Sequence, residues 1–211
     1  ARSHLWAVVS DLARERACCE PVQLQVALFQ YGNDGLESSD GFIELRAPFT
    51  CDLDVISEQL FALRTNGGSE YCGAAIGEAV DRLAWIAPSR RRCGPPVTRV
   101  LVIAGNEPFT QGSVSYTESI PAATSKGITV HTVFCGDREA GRATFWADGA
   151  ALGEGRFNSI DHNHRVIEIA TPFDRRISEL NQRLNDTYVA YGRRGVAAAA
   201  RQTAQDANVA D

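Results

Sequence analysis

Apolar residues change their spacing along this chain, and the changes mark out its elements. Leu5, Val8, Val9 and Leu12 recur at helical spacing, which predicts a helix from residue 1 to about Cys18, broken before Pro21. Val22–Tyr31 (VQLQVALFQY) passes from alternation into an apolar run, and Phe42–Phe49 repeats the strand pattern after the turn-forming Gly32-Asn33-Asp34-Gly35. The two predict a hairpin, with Pro48 placing its second strand at a sheet edge. Asp52 predicts an N-cap for a helix over Leu53–Leu63, striped by Leu53, Ile56, Leu60 and Leu63. The polar loop Thr65–Tyr71 then leads into a helix over Gly73–Trp85, with Ile76, Val80 and Leu83 in register, and Ser89–Pro96 reads as a solvated basic connection.

Val100–Ala104 is apolar without alternation, the pattern of a strand buried on both faces. It stops at Gly105, and Asn106, Glu107 and Pro108 follow. A helix is predicted over Tyr116–Lys126, with Pro121 delaying its start or kinking it and Gly127 ending it. Ile128–Phe134 is a further strand, Ala140–Leu152 a helix and Arg156–Ile160 a short strand, while Phe173, Ile177, Leu180 and Leu184 stripe the last strong helix. From about residue 98 the alternation of strands with helices predicts parallel βαβ units. The whole predicts a doubly wound, mostly parallel α/β sheet with one antiparallel edge strand and helices on both faces. Residues 1–190 form the domain, and residues 191–211 are an Ala-, Arg- and Gln-rich tail with no apolar stripe for docking.

Composition narrows the function. The chain has 211 residues, enough for one domain with a sizeable core. A net charge of -5 gives no electrostatic footing for nucleic acid. No apolar run reaches membrane-spanning length, and no secretory signal is visible. The lack of any Met predicts a fragment or a processed product. The six cysteines (Cys18, Cys19, Cys51, Cys72, Cys93 and Cys135) form no C-x-x-C pair, and at most one disulfide is expected. Cys135, at a strand end, reads as a small buried hydrophobe.

Open α/β sheets bind ligands just past the carboxyl ends of their strands. Asn106 and Glu107 stand at such a place; the plainer reading is a strand-end turn. Ser69 and Glu70 follow two glycines and precede a helix, where N-capping is the ordinary role. Tyr71 reads as rim or packing, and Thr110 as a cap for the next helix. His162 and His164 flank Asn163 in a loop best read as solvated, and His131 reads as a satisfied core histidine. No G-x-S-x-G elbow or P-loop is present, and Gly67-Gly68 lacks the Lys of a phosphate cradle.

Thr65–Leu83 (TNGGSEYCGAAIGEAVDRL), Val100–Gly112 (VLVIAGNEPFTQG), Gly127–Gly136 (GITVHTVFCG) and Trp146–Phe157 (WADGAALGEGRF) together, in this order, resemble the von Willebrand factor type A domain in its bacterial branch. The resemblance covers roughly residues 1–190. It implies a Rossmann-like fold with a metal-ion-dependent adhesion site at three strand-end loops: a D-x-S-x-S motif, a Thr and an Asp around Mg²⁺ or another divalent cation. Mapped on this chain, the metal positions are Ser69, Glu70 and Asn106, with Glu107, Tyr71 and Thr110 facing the partner. The D-x-S-x-S loop has no counterpart, because the matching helix starts at Ala1, and Asn106 stands where the Asp is expected. The resemblance also places a first strand centrally, between Gln23–Tyr31 and Arg99–Ala104. Unpaired buried backbone groups cost about 1–3 kcal/mol each, so the 211 residues are expected to be unstable, or to pair aberrantly, at that gap.

The expected function is a non-enzymatic module that docks a protein partner over Ser69–Tyr71 and Asn106–Thr110, with or without a bridging Mg²⁺. The alternatives are an enzyme using Glu107 as acid or base, and a structural domain whose metal site has decayed. The resemblance favours the bacterial envelope or secretion.

Overall fold

A computed structural model describes residues 2–17, 20–64, 66–87, 97–160 and 174–209. The basic connection Ser89–Pro96, the histidine pair His162 and His164, and Phe173 lie outside the described residues.

Helix α1 (Arg2–Arg14) opens the chain, and two short strands, β1 (Arg16–Ala17) and β2 (Glu20–Pro21), pair antiparallel after it. The helix stops four residues short of Cys18 because the chain reverses into that pair. Strand β3 (Val26–Tyr31) and strand β4 (Ile43–Thr50) make the expected antiparallel hairpin, joined through the short 3-10 turn Ser38–Asp40. Pro48 sits in β4, whose ladder is to β3. Helix α2 (Leu53–Ala62) follows, and Asp52 caps it by accepting from Val55 N–H at 3.4 Å. Helix α3 (Cys72–Arg82) leads to strand β5 (Arg99–Gly105).

The C-terminal half alternates as expected. Helix α4 (Tyr116–Ser125) joins β5 to strand β6 (Ile128–Phe134). Pro121 lies inside α4 without delaying its start, and Gly127 ends it at φ 68°. The predicted helix over Ala140–Leu152 is two: α5 (Arg138–Ala143) and α6 (Trp146–Leu152). Phe145 divides them with φ 70°, a left-handed conformation that no helix interior accepts. Strand β7 (Glu154–Ser159) then pairs with β6. Helices α7 (Asp174–Asn185) and α8 (Gly192–Val209) complete the chain. Leu180 and Leu184 of the α7 stripe are exposed, and α8 lies against α2, with Arg201 near Asp52 at 3.5 Å.

The strands fall into separate sheets. β5, β6 and β7 are parallel in that order; β3 and β4 stand apart, and no ladder joins β3 to β5. Helix α3 packs on both β3 and β5 and so bridges the break on one face. Beneath it the main core gathers Ile76, Ile103, Phe109, Ile120, Val130 and Trp146. The break corrects one expectation. Ile103 is 5 % exposed, but its neighbours Val100 and Val102 are 43 % and 46 % exposed. β5 is therefore not buried on both faces, since it has a partner strand along one edge and a helix over one face.

Candidate functional site

The loops after β3, before α3 and after β5 meet at one end of the sheets, and Glu70 holds them there. Its carboxylate Oε2 accepts two successive backbone amides, Asn106 N–H at 2.9 Å and Glu107 N–H at 3.1 Å. Its side chain also lies against Gly32, just past β3. Its own N–H donates to Gln111 Oε1 at 2.9 Å. Gly105 permits this approach: a Cβ there would meet the Glu70 carboxylate, the Tyr31 hydroxyl at 2.7 Å and the Trp146 ring at 2.9 Å. The sequence placed Glu70 near a ligand or a helix cap. The structure turns its side chain across to the next loop, and Tyr71, with no side-chain cap bond, occupies the N-cap of α3.

Glu107 is fixed by its neighbours. Asn106 Nδ2 donates to its Oε1 at 3.1 Å and Gln111 Nε2 to its Oε2 at 3.4 Å. Its carbonyl accepts from Trp146 Nε1 at 2.8 Å, which ties the loop to a fully buried indole. Phe109 N–H donates to Thr144 O at 3.0 Å, and its ring, fully buried, stacks edge-on against Trp146 at 4.8 Å. Tyr71 meets Phe42 edge-on at 6.0 Å, which places it in packing at the rim. Thr110 is exposed in the turn, and Ser115 caps α4 in its stead by accepting from Thr117 N–H. Ser69 is half-buried beside Glu70.

Beneath the loops, Tyr31 donates to Ala104 O at 2.8 Å and lies 3.7 Å from Cys72 Sγ. Neither Tyr31 nor Cys72 nor Gln111 stood out in the sequence, because only the folded chain brings them under Glu70. Burial holds the Tyr31 hydroxyl far above its usual range, with Cys72 and Glu70 adding to the effect. Burial likewise pushes the Cys72 thiol up to about 12. For Glu70, burial raises the carboxyl above its ordinary value against the two amides, which pull the other way; Glu107 adds to the rise. Cys72 is buried and free, as are the half-buried Cys135 and the exposed Cys51. His131 is half-buried in β6, and its Nδ1 accepts from Arg156 N–H at 2.8 Å.

Of the expected metal positions, Glu70 turns its Oε2 to two backbone amides, with Ser69 and Asn106 beside it. Glu70 Oε2 and both Glu107 oxygens already accept from N–H donors. The described residues hold no group of three or more His, Cys, Asp or Glu suited to a cation.

No protein-family model matches the sequence, and no curated relative does. Among solved structures, the chain superposes on the conserved hypothetical protein BatB of Bacteroides thetaiotaomicron with TM-score 0.51 at 15% identity, over 88% of this chain and 89% of that one. An aerotolerance-related membrane protein from Bacteroides fragilis matches at TM-score 0.48, 16% identity, over 88% of this chain and 89% of that one. The VWA domain of SpRpn10 matches at 0.47, 13% identity, over 76% of this chain and 75% of that one. The architecture is a mixed α/β domain with a parallel sheet and an antiparallel pair. In particular, its fold is similar to that of BatB.

Proposed function

We infer that this is a protein-interaction module whose docking face is the strand-end apex. The observation that supports it is the single Glu70 carboxylate holding the loops before α3 and after β5 in one fixed arrangement. A face that is already ordered loses little freedom when a partner binds. The contact residues are Glu107, Tyr71 and Thr110, with Ser69 and Asn106 beside them. Direct contact is the form the donors favour, since Glu70 Oε2 and both Glu107 oxygens already accept from N–H groups. The module works without catalysis, and its place is the bacterial envelope or the secreted fraction, where its partner is a protein.

The test is capture from an envelope extract by the immobilised protein, compared with Glu107→Ala and Thr110→Ala. Both variants are expected to lose at least half of one specific captured protein while melting within a degree or two of wild type, as surface changes do. Equal capture by all three would remove the apex as the docking face. Chelation with EDTA is expected to leave capture unchanged; loss in EDTA, restored by Mg²⁺, would establish the bridged form instead.

A further inference from the structure

Helices α7 and α8 and the turn between them leave Leu180, Leu184, Tyr188, Val189, Tyr191 and Val196 exposed within one short stretch of chain. Val189 and Tyr191 are the most open, at 86 % and 92 %. Single exposed apolar side chains are ordinary, but a run of them marks a surface that meets something other than water. The run is built into the fold. Thr187 N–H donates to Leu184 O at 3.0 Å and Tyr188 N–H to Asn185 O at 2.9 Å, which closes the end of α7. Gly192, at φ 65°, turns the chain into α8. That helix is held from behind: Gly195, Ala198, Ala199 and Gln202 are half-buried at helical spacing, and α8 packs on α2. Its other side, with Arg193, Val196, Ala197 and Ala200, is exposed. Among the described residues, α7 packs closely on no other helix or strand.

The charge beside these side chains is positive. The whole chain carries a net charge of -5, yet residues 174–196 hold five Arg against three acidic residues. Arg176 and Arg183 stand one turn to either side of Leu180, and both are exposed. Arg193 and Arg194 follow Tyr191 and Gly192 directly and are exposed too. The core of a protein interface is depleted of charge, whereas here arginines interleave with the apolar side chains. The boundary between lipid headgroups and acyl chains suits that mixture. Leucine and the tyrosine ring bury there, the tyrosine hydroxyl stays wet, and the arginine stem carries its guanidinium up to a phosphate. At twelve residues, α7 is about 18 Å long. Among the described residues no helix is long and apolar enough to cross a membrane, so the contact is with a surface.

We propose that the α7–α8 segment docks this domain on an anionic lipid surface. Leu180, Leu184 and the Tyr188–Tyr191 turn enter the headgroup boundary, while Arg183, Arg193 and Arg194 meet lipid phosphates. Helix α8 couples this contact to the domain through α2, where Arg201 stands near Asp52 at 3.5 Å. The remainder of the chain is acidic, so the same surface that attracts this segment repels the rest and orients the domain. The surface shares no residue with the strand-end apex, which stays free for its own partner.

Co-sedimentation of residues 1–211 with vesicles tests this, using phosphatidylcholine alone or mixed with phosphatidylglycerol. Binding to the mixed vesicles is expected to be about tenfold tighter or more than to phosphatidylcholine alone. It should weaken about tenfold as salt rises from about 0.1 M to about 1 M, because the screening length falls from about 10 Å to about 3 Å. Val189→Ser combined with Tyr191→Ser, and separately Arg193→Gln combined with Arg194→Gln, should each weaken binding about tenfold. Both paired variants should melt within about a degree or two of wild type, as surface changes do. Equal binding to the two kinds of vesicle, or undiminished binding by both paired variants, overturns the proposal. So does the absence of vesicle binding, and a lipid-free dimer that the Val189 and Tyr191 changes dissolve would then assign the patch to a second copy.

Discussion

Strand β5 carries an unbroken apolar run, Val100–Ala104, and β6 (Ile128–Phe134) one interrupted by Thr129, His131 and Thr132, yet β6 is the more buried of the two. β6 has a strand on each side, and Ile128, Val130, Thr132, Val133 and Phe134 are all buried. β5 has one, and its residues alternate between Ile103 in the core and Val102 nearly half exposed. Burial of a strand thus depends on what lies beside and over it, not on its own hydrophobicity. The same contrast separates the two halves of the molecule: the parallel half closes around Trp146, while the hairpin half meets it through α3, the Glu70 contacts, the Tyr31 hydroxyl and Ile43 in the shared core.

The largest effect is expected at the closed half. Trp146→Ala removes a fully buried indole that stacks on Phe109 and Phe134 and strips the Glu107 carbonyl of its donor. A loss of about 3–5 kcal/mol in urea denaturation is expected. The comparison sharpens on one strand: Ile103→Ala should cost about 2–4 kcal/mol, whereas Val102→Ala in residues 1–211 should stay within about 0.5 kcal/mol. Equal costs would mean that the open face of β5 is covered in solution.

Gly105→Ala comes next, with about 1–3 kcal/mol expected from overpacking and displacement of Glu70 from Asn106 and Glu107, read from the shifts of those two amides. Tyr31→Phe deletes the strut between the halves and should cost about 0.5–1.5 kcal/mol. A larger cost would mean that the hydroxyl holds the halves together by itself. The smallest effect is in pH. Burial raises the folded-state carboxyl of Glu70 above its unfolded value. Its contribution is therefore fully present below the unfolded value near 4.5 and is lost as pH rises through the folded one. Glu70→Gln should flatten that part of the melting-temperature profile. An unchanged profile would show that the two amides offset burial completely.

Much of the fold was legible because period and turn chemistry are local. The hairpin, the Asp52 cap and the edge position of Pro48 follow from residues within one element or its turn, and the parallel pairing of β5, β6 and β7 from the alternation of strands with helices. The break at Phe145 was not legible, because a left-handed phenylalanine leaves no mark in composition. The sequence marked Asn106 and Glu107 as a strand-end pair and Glu70 as their neighbour in function, without saying how they meet. That the Glu70 carboxylate would serve the backbone of another loop depends on a contact 36 residues away. The exposure of Val100 and Val102 escaped a reading of their own run, since it is decided by the absence of a ladder with β3.

The seam between β6 and β7 holds a different kind of stitch. Register slips there between Val130 and Thr132, and the imidazole of His131 takes the Arg156 N–H that the main chain no longer meets. A ring nitrogen that accepts must be bare, so the proton of the neutral ring sits on Nε2, and one tautomer is fixed by the weave of the sheet. Burial first, and Arg156 second, hold the His131 pKa below its ordinary value, so the ring resists taking the second proton that would cut the stitch. Here a side chain does the work of a peptide carbonyl, and this one bond between the outer strand and its neighbour lasts for as long as that histidine remains uncharged.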